Sequence, residues 1–347
     1  MKQVGLALVG LGNVGRRFLR LLIERDDILR EKYGIVFRVH CVVDSSGVAI
    51  SDEGFDLPSL IQHKVRGLKL RELREFEEGM TLGVALDIVQ CEILLEASPV
   101  NLNTGNPGLS NCRTTLEHGL HLVLANKGPL ALAQAELDRL AADSEVGILY
   151  SATFCGGLPV LNIVRRDMVC GKILSFRGIF NSTTNFILEE MLKGRSYTDA
   201  LNEAQERGIA EADPSIDVGG WDTAAKLVIA ANNIVDAMIT LDDVSVSGIE
   251  NMQPDWLERC RREGSVLKLV GTAERIDTKW CFRVEPTLMP IASFLGSCNG
   301  WEMAIEMQSD IYGKLFHKLL EREPVPTAAS MLRDAVHLAT MGRQGSL

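Results

Sequence analysis

No run of apolar residues in this chain approaches the ~20 that a helix needs to cross a bilayer, so a membrane-spanning helix is not expected. Basic residues are in the minority, 36 Lys and Arg against 46 Asp and Glu. The resulting net charge of −10 argues against the basic face that a nucleic-acid-binding protein presents. The eight cysteines, from Cys41 to Cys298, include no C-x-x-C pair and read as reduced thiols in a core. His118 and His121 flank Gly119, a helix-stop residue, and lack the further ligands of a metal site. There is no internal repeat and no low-complexity segment; Met1-Lys2 leads straight into a strand of buried type rather than a signal peptide, so no signal peptide and a cytoplasmic protein are expected. What is present is 46% hydrophobic residues in 347, enough for one large or two moderate cores.

The strand Gln3 to Val9 runs into Gly10-Leu11-Gly12-Asn13-Val14-Gly15 and then into a helical pattern from Arg16. Strand, glycine loop and helix start in that order form a dinucleotide-binding fingerprint. Gly10 permits the tight turn, Gly12 lets the backbone approach a pyrophosphate, and Gly15 allows close helix–strand packing. The free N–H groups around Asn13 and Val14 receive the phosphates. A second strand, Phe37 to Val43, ends at Asp44, whose carboxylate suits an adenosine ribose and favours NAD, while Ser45, Ser46 and Arg16 leave room for the 2′-phosphate of NADP. Asp26 to Gly34 reads as an inserted helical extension. Strands at Ile93–Ala97, His121–Ala125 and Gly147–Tyr150 alternate with helical patterns, as a parallel doubly wound sheet requires. Ser98, Pro99, Asn126 and Lys127 fall just beyond strand C-termini, the ligand-facing edge of such a sheet, although Lys127 is equally readable as a solvated loop lysine.

After Phe154 the pattern changes. A glycine loop, Cys155 to Pro159, opens a helix; a strand from Ile173 to Phe180 follows; Asn181-Ser182-Thr183-Thr184-Asn185 then precedes a helix, where small polar residues cap it or present donors to a ligand carboxylate. Leu267–Ile276 and Trp280–Thr287 alternate around Asp277-Thr278-Lys279 as a hairpin of a second sheet. Between the Asn181–Asn185 segment and this hairpin lies the segment richest in chemistry, with Glu211, Asp213, Asp217 and Asp222 preceding Lys226. A Gly219-Gly220 turn with a helix opening at Trp221-Asp222 puts Asp222 and Lys226 one turn apart on one face. Carboxylates there can grip an ammonium while the lysine moves a proton; an ordinary acidic loop before an i,i+4 ion pair is the competing reading.

Taken together, Gly10-x-Gly12-x-x-Gly15, Ala125-Asn126-Lys127, Gly157-Leu158-Pro159, Asn181 to Asn185, and Glu211-Ala212-Asp213-Pro214 followed by Gly220-Trp221-Asp222 and Lys226 resemble homoserine dehydrogenases over essentially the whole length. The resemblance implies an α/β protein with a Rossmann-like dinucleotide-binding domain at 1–150, completed by 312–347, and an α+β substrate-binding and dimerisation domain at 151–311. It implies reduction of L-aspartate 4-semialdehyde to L-homoserine with NADPH or NADH, on the route to threonine, isoleucine and methionine, by a homodimer. Lys226 then resembles the lysine that protonates the aldehyde oxygen, and Lys127 the second lysine of the site. Glu211 and Asp222 resemble the substrate-holding carboxylates, and Ser182 with Thr183 the pair at its polar end. Another small amino aldehyde as substrate is the competing reading.

Some positions depart from the family pattern. Ser151 stands where a glutamate usually helps to bind Na⁺ or K⁺, leaving the carbonyls of Phe154 and Gly156 for such an ion. Ile209 replaces a tyrosine, and Leu320 to Pro326 replaces a glycine-rich approach to the last helix with a segment bearing Glu321 and Glu323. No C-terminal regulatory domain and no fused aspartate kinase are expected, and hence no feedback inhibition by threonine through such a domain.

Overall fold

The computed structural model describes residues 1–207, 209–210, 213–250, 252 and 255–340. They form two units, Met1–Gly157 with the chain from Glu323 onward, and Leu158–Arg322.

The first unit contains strands β1 (Lys2–Val9), β2 (Ile35–Asp44), β3 (Gly47–Ile50), β4 (Phe76–Glu77), β5 (Ile93–Glu96), β6 (His121–Leu124) and β7 (Ile148–Leu149). Its helices are α1 (Asn13–Glu24), α2 (Asp26–Tyr33), α3 (Leu57–Val65), α4 (Leu82–Ile88), α5 (Gly108–Glu117) and α6 (Gly128–Asp143). The sheet order is β4-β3-β2-β1-β5-β6-β7. The five strands from β2 through β7 are parallel, and β1 is buried from Val4 to Val9, which is why it reads as a continuous apolar run. The sheet is not wholly parallel, however: β3 turns back antiparallel on β2. The cause is local. Asp44 Oδ1 accepts from both the backbone N–H and the hydroxyl of Ser46, at 2.8 and 2.6 Å, closing a turn that Gly47 completes at φ 133°.

The second unit contains α7 (Val160–Asp167), β8 (Ile173–Ile179), α8 (Ser182–Leu192), α9 (Tyr197–Glu206), α10 (Ser215–Val218), α11 (Trp221–Ile234), β9 (Val244–Val246), α12 (Asp255–Glu263), β10 (Ser265–Ile276), β11 (Lys279–Pro290), β12 (Glu302–Ser309) and β13 (Lys314–Leu320). Its six-stranded sheet has the order β13-β12-β8-β10-β11-β9. The expected hairpin is β10–β11, closed by Asp277 in the left-handed region at φ 57°. Helix α11 is buried on nearly every side, so it is the central helix of this unit rather than a surface one.

Helix α13 (Val325–Thr340) belongs to the first unit, where Met331, Ala335 and Leu338 join the core of Leu6, Leu8 and Phe18. The division differs from the expected 151/312 boundaries in two ways. Residues 151–157 stay with the first unit, and 312–322 stay with the second, because β13 pairs antiparallel with β12 from Glu302↔Leu320 to Gln308↔Lys314.

Candidate active site

In the second unit, Gly220 adopts φ 85° and serves as the N-cap of α11. A Cβ on Gly220 would press on Val246 and Val284, and the positive φ strains any other residue there, so the turn favours glycine. The turn puts Asp222 in the first helical turn, 4% exposed, and Lys226 one turn later. Lys226 Nζ donates to Asp222 Oδ2 at 2.8 Å and to the Phe180 carbonyl at 2.6 Å. Phe180 ends the β8 segment, and Asn181 after it caps α8, its Oδ1 accepting from Thr184 N at 2.8 Å. The other end of the Asn181 amide donates to Asp217 Oδ1 and Asp222 Oδ2, both at 2.7 Å.

The acidic segment therefore divides. Asp217, from the short α10, and Asp222 converge on Asn181, whereas Asp213 is exposed and accepts from Ser215 N at 3.1 Å as a local turn contact. Glu211 lies outside the described residues. Ser182 and Thr183 open α8 beside Asn181, and the Thr183 hydroxyl donates to the Ile209 carbonyl at 3.1 Å. Sequence alone names Asp217 only as one of four carboxylates and Asn181 only as one of five small polar residues, without singling out either. The signal for Asn181 was the cap position ahead of Ser182-Thr183-Thr184, which also admits a purely structural reading.

In the first unit, Gly10 has φ 92°, and a Cβ there would stand 2.2 Å from the Ala97 carbonyl oxygen; a Cβ on Gly15 would stand 2.0 Å from the Gly10 oxygen. Gly12 is different: a Cβ would meet nothing within 4 Å. The start of α1 thus opens onto clear space, with Asn13 exposed, Val14 half-buried, no side-chain cap and no acidic residue in the first turn. Uncapped N–H groups at a helix start suit a pyrophosphate, so the residues present fit a dinucleotide. Arg16 donates to Asn13 Oδ1 at 2.9 Å. Asp44 is already engaged: besides Ser46, it accepts from Lys64 Nζ at 2.7 Å. Burial would push its carboxyl up, but the hydrogen bonds from Lys64 and Ser46 outweigh that and hold it below the usual carboxylate range.

At the ends of β5 and β6, Asn126 Nδ2 donates to the Ser98 hydroxyl at 3.2 Å and to the Pro99 carbonyl at 3.3 Å, while its Oδ1 accepts from Gly128 N at 3.0 Å. Lys127 is the N-cap residue of α6. Beside the glycine loop, Ser151 donates its N–H to Asp334 Oδ2 and its hydroxyl to Asp334 Oδ1, each at 2.8 Å. The neutral Ser151 therefore does not leave this place without a carboxylate: Asp334 of α13 brings one, 3% exposed, with its carboxyl pushed up by burial. The Gly156 carbonyl accepts from the Ser330 hydroxyl at 3.0 Å, and Phe154 is fully buried.

Comparison with known proteins gives one answer. The homoserine dehydrogenase family profile matches residues 159–336. The chain is 35% identical over 334 residues to a homoserine dehydrogenase of Methanocaldococcus jannaschii, covering 96% of this chain and 98% of the relative. It is 33% identical to an NAD(+)-dependent homoserine dehydrogenase of Pseudomonas canavaninivorans, covering 97% of each. Among solved structures, the homoserine dehydrogenase of Thermoplasma acidophilum superposes with a TM-score of 0.83 at 27% identity, over 98% of this chain and all of that one. Matched along nearly its full length in sequence and in fold, the chain belongs to the homoserine dehydrogenase family.

Proposed function

We propose that the second unit holds L-aspartate 4-semialdehyde and that Lys226 supplies the proton as the aldehyde is reduced to L-homoserine. The observation that carries this reading is the ion pair between the half-buried Lys226 and the buried Asp222, 2.8 Å apart, with Asn181 bridging Asp222 to Asp217. Hydride addition turns a carbonyl oxygen into an alkoxide, and an adjacent ammonium both stabilises that charge and donates the proton that makes the alcohol. Asp222 keeps the Lys226 head in place, while Asp217 and Asp222 offer anionic oxygens to the substrate ammonium, with Glu211 as a further candidate. Ser182 and Thr183, at the start of α8, are read as the residues that contact the substrate carboxylate. Lys127 is the second candidate acid.

The first unit is read as holding NAD or NADP, whose reduced form would supply the hydride, on the Gly10–Gly15 loop with Asn13 and Val14. Asp44 takes the adenosine ribose, and Ser98 and Pro99 the opposite end. The P. canavaninivorans relative is named as NAD(+)-dependent, which agrees with an acidic residue ending β2. A spectrophotometric assay with L-homoserine against NAD and NADP, with other amino alcohols as controls, tests the reading. Absence of homoserine-dependent reduction of either cofactor overturns it.

We read the protein as a homodimer of the cytoplasm. Arg177 lies in register with Thr272 and Glu306 on one face of the six-stranded sheet, while Gly178 and Gly271 in the next row turn toward Thr223 of α11 or Phe180. The first of these faces carries a trough of about 520 Å³ lined by Arg177, Glu274, Phe294 and Phe316, and Phe316 is 50% exposed. A second copy on this face covers that apolar surface, beside the ion pair that Arg177 and Glu306 make with each other. Light scattering is expected to give a dimer, and Phe316→Lys a monomer; a monomeric wild type rejects the assignment.

A further inference from the structure

Strand β5 is apolar until its last residue, Glu96, which is 0% exposed. Its carboxylate accepts from neutral donors: Ser98 N at 2.8 Å, the Ser98 hydroxyl, Asn111 Nδ2 at 2.9 Å and Asn126 Nδ2 at 3.5 Å. A leucine would fill the same volume without desolvating a carboxylate, so what Glu96 contributes lies in the groups it orders. Its backbone does similar work, the Glu96 carbonyl accepting from Ala125 N at 2.9 Å and Asn126 N at 3.3 Å. Glu96 stands beside Val9 on one side and Leu124 on the other, at the C-terminal ends of three neighbouring parallel strands. The next residue, Ala97, supplies the carbonyl that leaves room only for glycine at Gly10. One side chain thus ties together the Ser98-Pro99 loop, helix α5 and the Asn126 entry to α6.

In the order β2-β1-β5 the winding reverses between β1 and β5, and ligands of open α/β sheets lie at that edge. With the adenosine end over β2 and Asp44, the other end of a dinucleotide lies over β5 and β6. We propose that Glu96 is the positioning residue of the nicotinamide half of the cofactor site, holding Ser98 and Asn126 in the single geometry on which the nicotinamide ribose and ring rest. The inference rests on the reading that the Gly10–Gly15 loop binds the dinucleotide.

Two ligands separate the halves of the site: ADP-ribose reports the adenosine and pyrophosphate half, and NADH adds the nicotinamide. Calorimetric titration of both into Glu96→Gln should leave ADP-ribose affinity unchanged and weaken NADH about tenfold, the scale of one hydrogen bond lost from an ordered site. Asn111→Ala, which loosens Glu96 from α5 without touching the cofactor edge, should shift the NADH to ADP-ribose ratio in the same direction by less. A ratio unchanged in both variants, or both ligands weakened equally, makes Glu96 a structural residue and overturns the proposal. If Glu96→Gln does not fold, Asn111→Ala decides by the same ratio. Gly12→Val tests the underlying reading separately: ADP-ribose affinity retained in that variant rejects the loop as the cofactor site, whereas affinity lost there with an unchanged ratio in the Glu96 and Asn111 variants rejects only the role of Glu96.

Discussion

Helices α1 and α11 both begin at a glycine and neither has a side-chain cap, yet they use their free N–H groups in opposite ways. The first turn of α1 has no acidic residue and opens onto solvent, so its positive end is left for an anion from outside. The first turn of α11 carries Asp222, buried at 4% exposure, so its positive end is matched by the chain's own carboxylate. That carboxylate then carries Lys226 and Asn181. An open helix start fits a phosphate; a filled one fits a fixed ion pair, which can hold a lysine at one position while a proton moves. The glycines differ accordingly, Gly12 with empty space around it and Gly220 hemmed in by Val246 and Val284.

The largest effect should come from the filled site. Lys226→Met removes the proposed proton donor, and kcat is expected to fall by about two orders of magnitude or more in a variant that still folds, with NADH affinity close to wild type and a melting temperature lowered by the loss of the Asp222 partner. If Lys226 were only the helical partner of Asp222, the change would show as a loss of stability, because it leaves the buried Asp222 without its cation, while the rate of the folded variant stayed nearly intact. Steady-state kinetics with a thermal melt distinguish the two, and a near-normal kcat in a folded variant transfers the role to Lys127.

The open site should separate folding from binding. Gly12→Val places a side chain in clear space at an ordinary φ of −74°, so the fold should survive while dinucleotide affinity drops by about tenfold or more. Gly10→Ala should do the reverse first, losing about 1–3 kcal/mol of stability, because it combines φ 92° with a clash against the Ala97 oxygen. Denaturant melts and cofactor titration on the pair check this, and equal stability of the two variants breaks the contrast.

Much of this contrast was legible in the sequence because glycine spacing and an i,i+4 charge pair are local signals. The strand order around Gly10 to Gly15, the β10–β11 hairpin and the helix start at Trp221 all follow from neighbours in the chain. What was not legible came from long-range pairing. Nothing local in Ser151 points to Asp334, 183 residues later. Nor does Asp44 announce Lys64, which reaches it from α3. The β2–β3 reversal is hidden in the sequence because Ser45 and Ser46 read equally well as ligands of a 2′-phosphate, whereas Ser46 spends its hydroxyl and its N–H on Asp44.

Asp44 gives a smaller, pH-dependent effect. Its folded carboxyl is depressed, so its contribution to stability is present above the ordinary carboxylate pKa and is lost as pH falls through the depressed value. Asp44→Ala should therefore flatten the acid limb of the stability profile. In binding, it should weaken NAD more than NADP, by a factor of about ten at most, since Lys64 is released to meet a 2′-phosphate. An equal loss for both cofactors breaks the assignment of Asp44 to the ribose.

The smallest effect is expected at the loop between β7 and α7. A hard monovalent cation there would draw on the carbonyls of Phe154 and Gly156 and gain from an anionic oxygen. The Gly156 carbonyl is already an acceptor for Ser330, and both oxygens of Asp334 accept from Ser151. These internal donors satisfy the acceptors that an ion would otherwise coordinate. Burial also pushes the Asp334 carboxyl up, which lessens its charge as pH falls toward the acid range. Activity in buffers whose only cation is tetramethylammonium should stay within about twofold of that in potassium, a difference below 0.5 kcal/mol in the barrier. A steep requirement for added sodium or potassium would show that carbonyls and water suffice for the ion, and would place Ser330 and Asp334 among the groups that rearrange to admit it.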